Sequence, residues 1–192
     1  MIGLEQMVEV RWHARAGQGA VTASKYLAES AMDEGFYIQA FPEYGAERRG
    51  APIKSFTRIS EKPIRVHSQI YNPNVVLILD PSLVGSNEIT EGLRKGGKII
   101  VNTTKSPEEI AKKLGISDEF EVHTLDATGI ANETIGRPFP NMPMLAAFIK
   151  VTGLLSLEKV MERTRKELSK RFNEKIINGN LEAVRRGYQE VN

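Results

Sequence analysis

The chain contains no cysteine, which excludes disulfides, thiol nucleophiles, cysteine-ligated zinc and any iron–sulfur cluster held by this polypeptide. If redox chemistry takes place, its centres lie elsewhere. No apolar run approaches the ~20 residues needed to span a bilayer, and the opening Met1 to Met7 shows no basic region followed by an apolar core. A cytoplasmic protein without membrane contact is expected. Nor is there an excess of charge of either sign: 26 Lys and Arg stand against 24 Asp and Glu, a net +2. Nothing in that balance demands a nucleic-acid partner. The three histidines, His13, His67 and His123, are scattered, without the spacing of a metal-binding helix. Ser24, Ser55 and Ser82 lack the context of a nucleophile elbow.

With 192 residues the chain fits one domain of ordinary size, able to fold without metal or disulfide staples. No linker or internal repeat divides it. Val8, Val10 and Trp12 alternate with Glu9 and Arg11, predicting a strand with one more polar face. A helix of small residues follows from about Gln18 to Glu34, closed by Gly35, and Phe36 to Phe41 resumes as strand. Ile53 to Ile59 and Pro63 to Val66 read as two strands joined tightly through Ser60-Glu61-Lys62. Val75 to Asp80 and Lys98 to Asn102 are apolar runs ending in a polar side chain, as strands covered on both faces are. Ser106-Pro107-Glu108-Glu109 starts a helix, Phe120 to Leu125 is one more strand, and helical spacing dominates beyond Ala127.

This alternation predicts an α/β fold: three layers, α/β/α, around a mostly parallel sheet, with added C-terminal helices. A single domain is expected over 1–192, its core about 7–150 and a helical extension about 154–192. The basic run from Arg163 to Arg171 is interspersed with Glu162 and Glu167, so pairing along a solvated helix face accounts for it. Ligands of such sheets gather at the strand carboxyl ends, which puts Arg15 to Gly19, Glu43 to Gly50, Asp80, Asn102 and Asp126 on one rim.

Two segments on that rim carry chemistry. His13-Ala14-Arg15-Ala16-Gly17-Gln18-Gly19-Ala20 is a glycine turn between strand and helix, where α/β proteins hold phosphates on helix amides. Thr22 stands where a dinucleotide fingerprint needs its third glycine, so NAD or FAD is weakly indicated. A tight turn without a ligand fits as well. The second segment, Pro42 to Pro52, is about eleven residues long against a median connection of about five. Tyr44 offers stacking area, and Arg48 and Arg49 offer guanidinium forks for phosphate or carboxylate. A solvated loop whose Glu43, Glu47, Arg48 and Arg49 neutralise one another accounts for the same residues.

Taken together the segments resemble the gamma subunit, or corresponding domain, of 2-oxoacid:ferredoxin oxidoreductases. The resemblance rests on Gly17-Gln18-Gly19, on Pro42-Glu43-Tyr44-Gly45-Ala46-Glu47-Arg48-Arg49-Gly50, and on Pro73-Asn74 before the strand ending in Asp80. It continues through Asn102, Asp126-Ala127-Thr128, and Asn141 before Met144-Leu145-Ala146-Ala147, covering about residues 8 to 150. Ala14-Arg15-Ala16 departs from the family, whose turn is often richer in glycine. Length and helical tail are most similar to the pyruvate-type gamma subunit.

The resemblance implies a heterotetrameric enzyme with alpha, beta and delta-type partners, converting pyruvate, coenzyme A and oxidised ferredoxin to acetyl-CoA, carbon dioxide and reduced ferredoxin. This chain would be a noncatalytic member. Thiamine diphosphate, magnesium, the iron–sulfur clusters and the contact with ferredoxin would belong to the partners; no Gly-Asp-Gly run with a downstream Asn occurs here. What remains is architecture and a share of a coenzyme A site at the subunit interface, built from Gly17, Gln18, Gly19, Tyr44, Glu47, Arg48, Arg49 and Asn141. Glu47-Arg48-Arg49 could equally serve as an ion-pair clamp against the thiamine-binding subunits. The alternatives are a gamma subunit for 2-oxoglutarate or 2-oxoisovalerate, and a stand-alone nucleotide-binding module.

Overall fold

A computed structural model describes residues 7–43, 50–116 and 118–192. Six strands form one sheet: β1 (Val8–Arg15), β2 (Tyr37–Pro42), β3 (Pro52–Ser60), β4 (Val75–Ile78), β5 (Lys98–Asn102) and β6 (Glu121–Leu125), in the order β2-β3-β1-β4-β5-β6. β1, β4, β5 and β6 run parallel, and β3 lies antiparallel to both β1 and β2. The helices are α1 (Ala20–Asp33), α2 (Pro107–Leu114), α3 (Ala127–Ile135), α4 (Asn141–Thr152), α5 (Leu157–Leu168) and α6 (Glu174–Glu190). They cover both faces of the sheet, as expected for an α/β fold, but unequally. Val8, Val10, Trp12 and Ala14 of β1 pack into the larger core with α1, α4 and α6. The opposite face holds α2, two short 3-10 turns (Pro81–Leu83 and Asn87–Ile89) and the connections between them, around Val76, Ile78, Ile99, Val101 and Ile110.

Local signals start the elements where they should. α2 opens on a full capping box, with the Ser106 hydroxyl accepting from Glu109 N–H and the Glu109 carboxylate from Ser106 N–H. Leu154, Leu155, Val160, Ala183 and Val184 of the C-terminal segment join the same core as β1. α6 reaches it through close backbone contact: a Cβ on Gly187 would stand 2.4 Å from the Pro143 carbonyl oxygen, and one on Gly179 2.5 Å from that of Thr134. Glycine here lets α6 lie directly on α3 and α4. Arg163 pairs with Glu167 along α5, and Lys170 just past its end pairs with the same carboxylate, as the charge spacing predicts, while Arg163 also crosses to Glu29 and Asp33 on α1.

One expectation needs correction. Pro63 to Val66 forms no strand; β3 pairs instead with β1 and β2. The segment is irregular: Gln39 Nε2 donates to the Val66 carbonyl, and just beyond it Arg58 Nη2 donates to that of Gln69. Pro63 brings no N–H to a ladder, so this path costs it nothing. The more polar face of β1 is itself buried. Glu9 accepts from Arg58 Nε and Arg94 Nη2, both at 2.9 Å, and Arg58 is only 1% exposed. Arg11 donates to the carbonyls of Glu88, Ile89 and Glu91, and its Nε donates to Nε2 of His13 at 3.0 Å. Burying these charges is tolerable because each finds its partners.

Candidate functional site at the carboxyl rim of the sheet

The strands β1, β4 and β5 end side by side, and their last residues are linked by polar contacts. After Arg15 the chain turns through Gly17, at φ +101°, and Gly19, at φ +82°, conformations that favour glycine. Gly19 sits at the N-terminus of α1, which carries no side-chain cap and no acid in its first turn. A Cβ on Gly19 would stand 2.8 Å from Cγ of Asn141, the first residue of α4. α4 likewise starts without a side-chain cap. The structure thus brings Gly17, Gln18, Gly19 and Asn141 together, and sets the uncapped ends of two helices near one another. Amides at such ends suit an anion.

Gln18 spans the turn. Its Oε1 accepts from the Arg15 backbone N–H at 2.8 Å, and its Nε2 donates to Asp80 Oδ2 at 2.7 Å. An ionised carboxylate only accepts, so the amide has one orientation that satisfies both bonds. Asp80 Oδ1 accepts from Ser82 N–H at 2.9 Å. Partial burial works against its charge, but the bonds from Ser82 and Gln18 and the Arg15 guanidinium outweigh burial and hold the Asp80 pKa below the ordinary carboxylate range. Arg15 reaches Ser82 Oγ, the Gly50 carbonyl and Asp80.

Further along the rim, Asn102 at the end of β5 donates through Nδ2 to the Leu79 carbonyl and to Thr128 Oγ1, each at 2.8 Å. Its Oδ1 accepts from Thr128 N–H, and Asp126 accepts from Gly129 N–H at the start of α3. These contacts tie β4, β5 and α3 into one floor. Tyr44, Glu47, Arg48 and Arg49 lie outside the described residues. The flanks of that segment are fixed at the rim: Glu43 N–H donates to the Lys54 carbonyl, and Ala16 N–H to that of Ala51. Sequence reasoning put Arg15, Asp80 and Asn102 on the rim but missed that Arg15, Gln18, Asp80, Ser82 and Gly50 form one network. Polar residues closing successive strands were the available signal. Among the described residues no cluster of His, Asp and Glu could hold a metal ion, and no helix is long and apolar enough to cross a membrane.

Residues 9–190 match the family model described as pyruvate ferredoxin/flavodoxin oxidoreductase. The chain belongs to this family. A pyruvate synthase subunit PorC of Thermotoga maritima is 49% identical over 183 residues, covering 95% of this chain and 94% of its own. The crystal structure of pyruvate oxidoreductase subunit PORC from the same organism superposes with a TM-score of 0.86 at 44% identity, covering 98% of each chain. A subunit of Thermococcus kodakarensis named as the common gamma subunit of pyruvate and ketoisovalerate oxidoreductases is 51% identical over 169 residues, covering 88% of this chain and 91% of its own. The fold also occurs in a 2-oxoglutarate:ferredoxin oxidoreductase of Magnetococcus marinus solved with 2-oxoglutarate, coenzyme A and succinyl-CoA bound (TM-score 0.78, 17% identity). This chain is covered to 96% there and that chain to 31%. The expected family and fold class are borne out.

Proposed function

We propose that this chain is the gamma subunit of a multisubunit pyruvate:ferredoxin oxidoreductase and supplies part of its coenzyme A site. The observation that carries this is likeness to PorC subunits over nearly the full length of both chains. The assembled enzyme turns pyruvate, coenzyme A and oxidised ferredoxin into acetyl-CoA, carbon dioxide and reduced ferredoxin. Without cysteine this chain cannot ligate the clusters. Alpha, beta and delta-type partners therefore carry them, together with thiamine diphosphate and magnesium, and meet ferredoxin. A cytoplasmic location goes with those reactants.

Coenzyme A brings a pyrophosphate and a 3′-phosphate. The uncapped α1 terminus at Gly17 to Gly19, facing Asn141, supports a phosphate site. By residue type, Arg48 and Arg49 offer the forks and Tyr44 a stacking face, with Glu47 beside them. Gln18 has its amide committed within the turn, so it shapes the turn rather than gripping the ligand. The common gamma subunit of the Thermococcus enzymes supports a shared role in which partner chains select the 2-oxoacid, so 2-oxoisovalerate remains compatible with this subunit. A free nucleotide-binding module has no comparable support.

Replacing Arg48 and Arg49 by Ala in the assembled enzyme tests the site. Charge-assisted hydrogen bonds contribute about 1.5–3 kcal/mol each, so KM for coenzyme A should rise at least ~10-fold with kcat little changed. An unchanged KM in an intact complex would refute it. Loss of the complex instead would make the pair an assembly clamp.

A further inference from the structure

We infer that Arg15 is a positioning residue for coenzyme A binding, fixing the glycine turn against Gly50 and Asp80 without itself supplying the charge that holds phosphate. The inference rests on the coenzyme A site proposed above. The Arg15 side chain ties the glycine turn to its neighbours on three sides. Nη1 donates to the Gly50 carbonyl at 3.0 Å, while Nε and Nη2 donate to Ser82 Oγ at 3.2 and 2.9 Å. Nε lies 3.6 Å from Asp80 Oδ2, the oxygen that accepts from Gln18. The Arg15 backbone N–H completes the circuit to Gln18 Oε1. One residue therefore joins the glycine turn, the chain entering β3, the end of β4 and the following 3-10 turn.

Magnitudes say what this hub is for. The Arg15 and Asp80 side chains are 38% and 15% exposed, and a pair this close to solvent contributes about 0–1 kcal/mol to stability. The ladders that join β1 to β3 and β4 hold the fold without it. What the hub controls is the relative placement of Gly17 to Gly19, Gly50 and Ser82, and a displacement of about 1 Å in a positioned site can cost ~100-fold. Direct capture of phosphate by Arg15 is a poorer fit, since the adjacent carboxylate cancels its charge.

The two roles give opposite signs on Asp80→Asn. If Arg15 gripped phosphate directly, neutralising Asp80 would unmask the cation and lower KM for coenzyme A. As a positioning hub it loses the ion pair, and a single amide oxygen cannot serve both Gln18 Nε2 and Ser82 N–H, so KM rises. In the assembled enzyme, Arg15→Ala and Asp80→Asn should each raise KM for coenzyme A about fivefold or more, with kcat and KM for pyruvate within about twofold and the complex intact. Arg15→Lys, whose ammonium lacks the two-pronged reach, should fall between Arg15→Ala and the parent. A lowered KM in Asp80→Asn, an unchanged KM in Arg15→Ala, or failure of both variants to assemble would overturn the inference. The Arg48→Ala/Arg49→Ala enzyme separates the two levels. If it raises KM while Arg15→Ala does not, only the positioning role falls; if neither moves KM, the coenzyme A site falls with it.

Discussion

Replacing Glu9 by Leu is expected to destabilise the full chain by about 3 kcal/mol or more, a fall in Tm of about 6–12 °C for a chain of this size. Glu9 is the shared acceptor for Arg58 and Arg94, and removing it leaves the Arg58 guanidinium buried without its counterion. Arg58 keeps hydrogen bonds to Gln39 Oε1 and the Gln69 carbonyl and a place over the Phe41 ring. These hold the loss to the lower end of the range for a broken buried pair. Two companions decide whether charge burial is the cause. Arg94→Ala should cost less than about 1 kcal/mol, because that side chain is 41% exposed. Glu9→Leu combined with Arg58→Met removes both charges and should recover much of the single-variant loss. A double variant as unstable as the sum of its parts would assign the effect to packing instead.

The second large effect is acid sensitivity centred on His13. Burial first, then the charges of Arg11 and Lys54, push its pKa down to about 3. With Nε2 accepting from Arg11, protonation would set two donors against each other. In the unfolded chain the same imidazole titrates near about 6.5. Between those values the unfolded state binds the extra proton, so the stability that neutral His13 provides is complete above about pH 6.5 and drains away as pH falls toward 3. The whole window is worth on the order of 5 kcal/mol, and about 2–3 kcal/mol of it is spent between pH 7 and pH 4.5. Urea unfolding at those two pH values, for the parent and for His13→Gln, isolates the contribution. The carboxylates that pair with Lys54, Glu43 and Glu88, are present in both proteins, so their contribution cancels in the difference. The parent should lose about 2–3 kcal/mol more than the variant. Equal losses would mean that His13 is not kept neutral by the fold.

Both effects arise on the face of β1 that the sequence read as the more polar one. The alternation of Glu9, Arg11 and His13 with Val8, Val10 and Trp12 places the side chains on the correct faces, yet residue type alone cannot tell a solvated charge from a buried and satisfied one. Their partners, Arg58, Arg94 and the carbonyls of residues 88, 89 and 91, lie 49 to 85 positions away. Where the determinants are local the sequence was legible. Val75 to Asp80 and Lys98 to Asn102 are apolar enough to require cover on both faces, and Ser106 to Glu109 carries a complete cap. The rim follows the same division. The glycine turn could be read from spacing, whereas the approach of Asn141 to Gly19 brings two helix starts together over more than a hundred residues, and the Arg15 hub joins a turn, a strand end and two loops.

The most direct test of the subunit assignment is pyruvate-dependent and coenzyme A-dependent ferredoxin reduction by whatever complex purifies, anaerobically, with a tagged copy of this chain from its own cells. The expected result is a stable complex with cysteine-bearing partner chains that reduces ferredoxin only when both pyruvate and coenzyme A are present. A chain that purifies alone, or a complex whose ferredoxin reduction is indifferent to either compound, would contradict it.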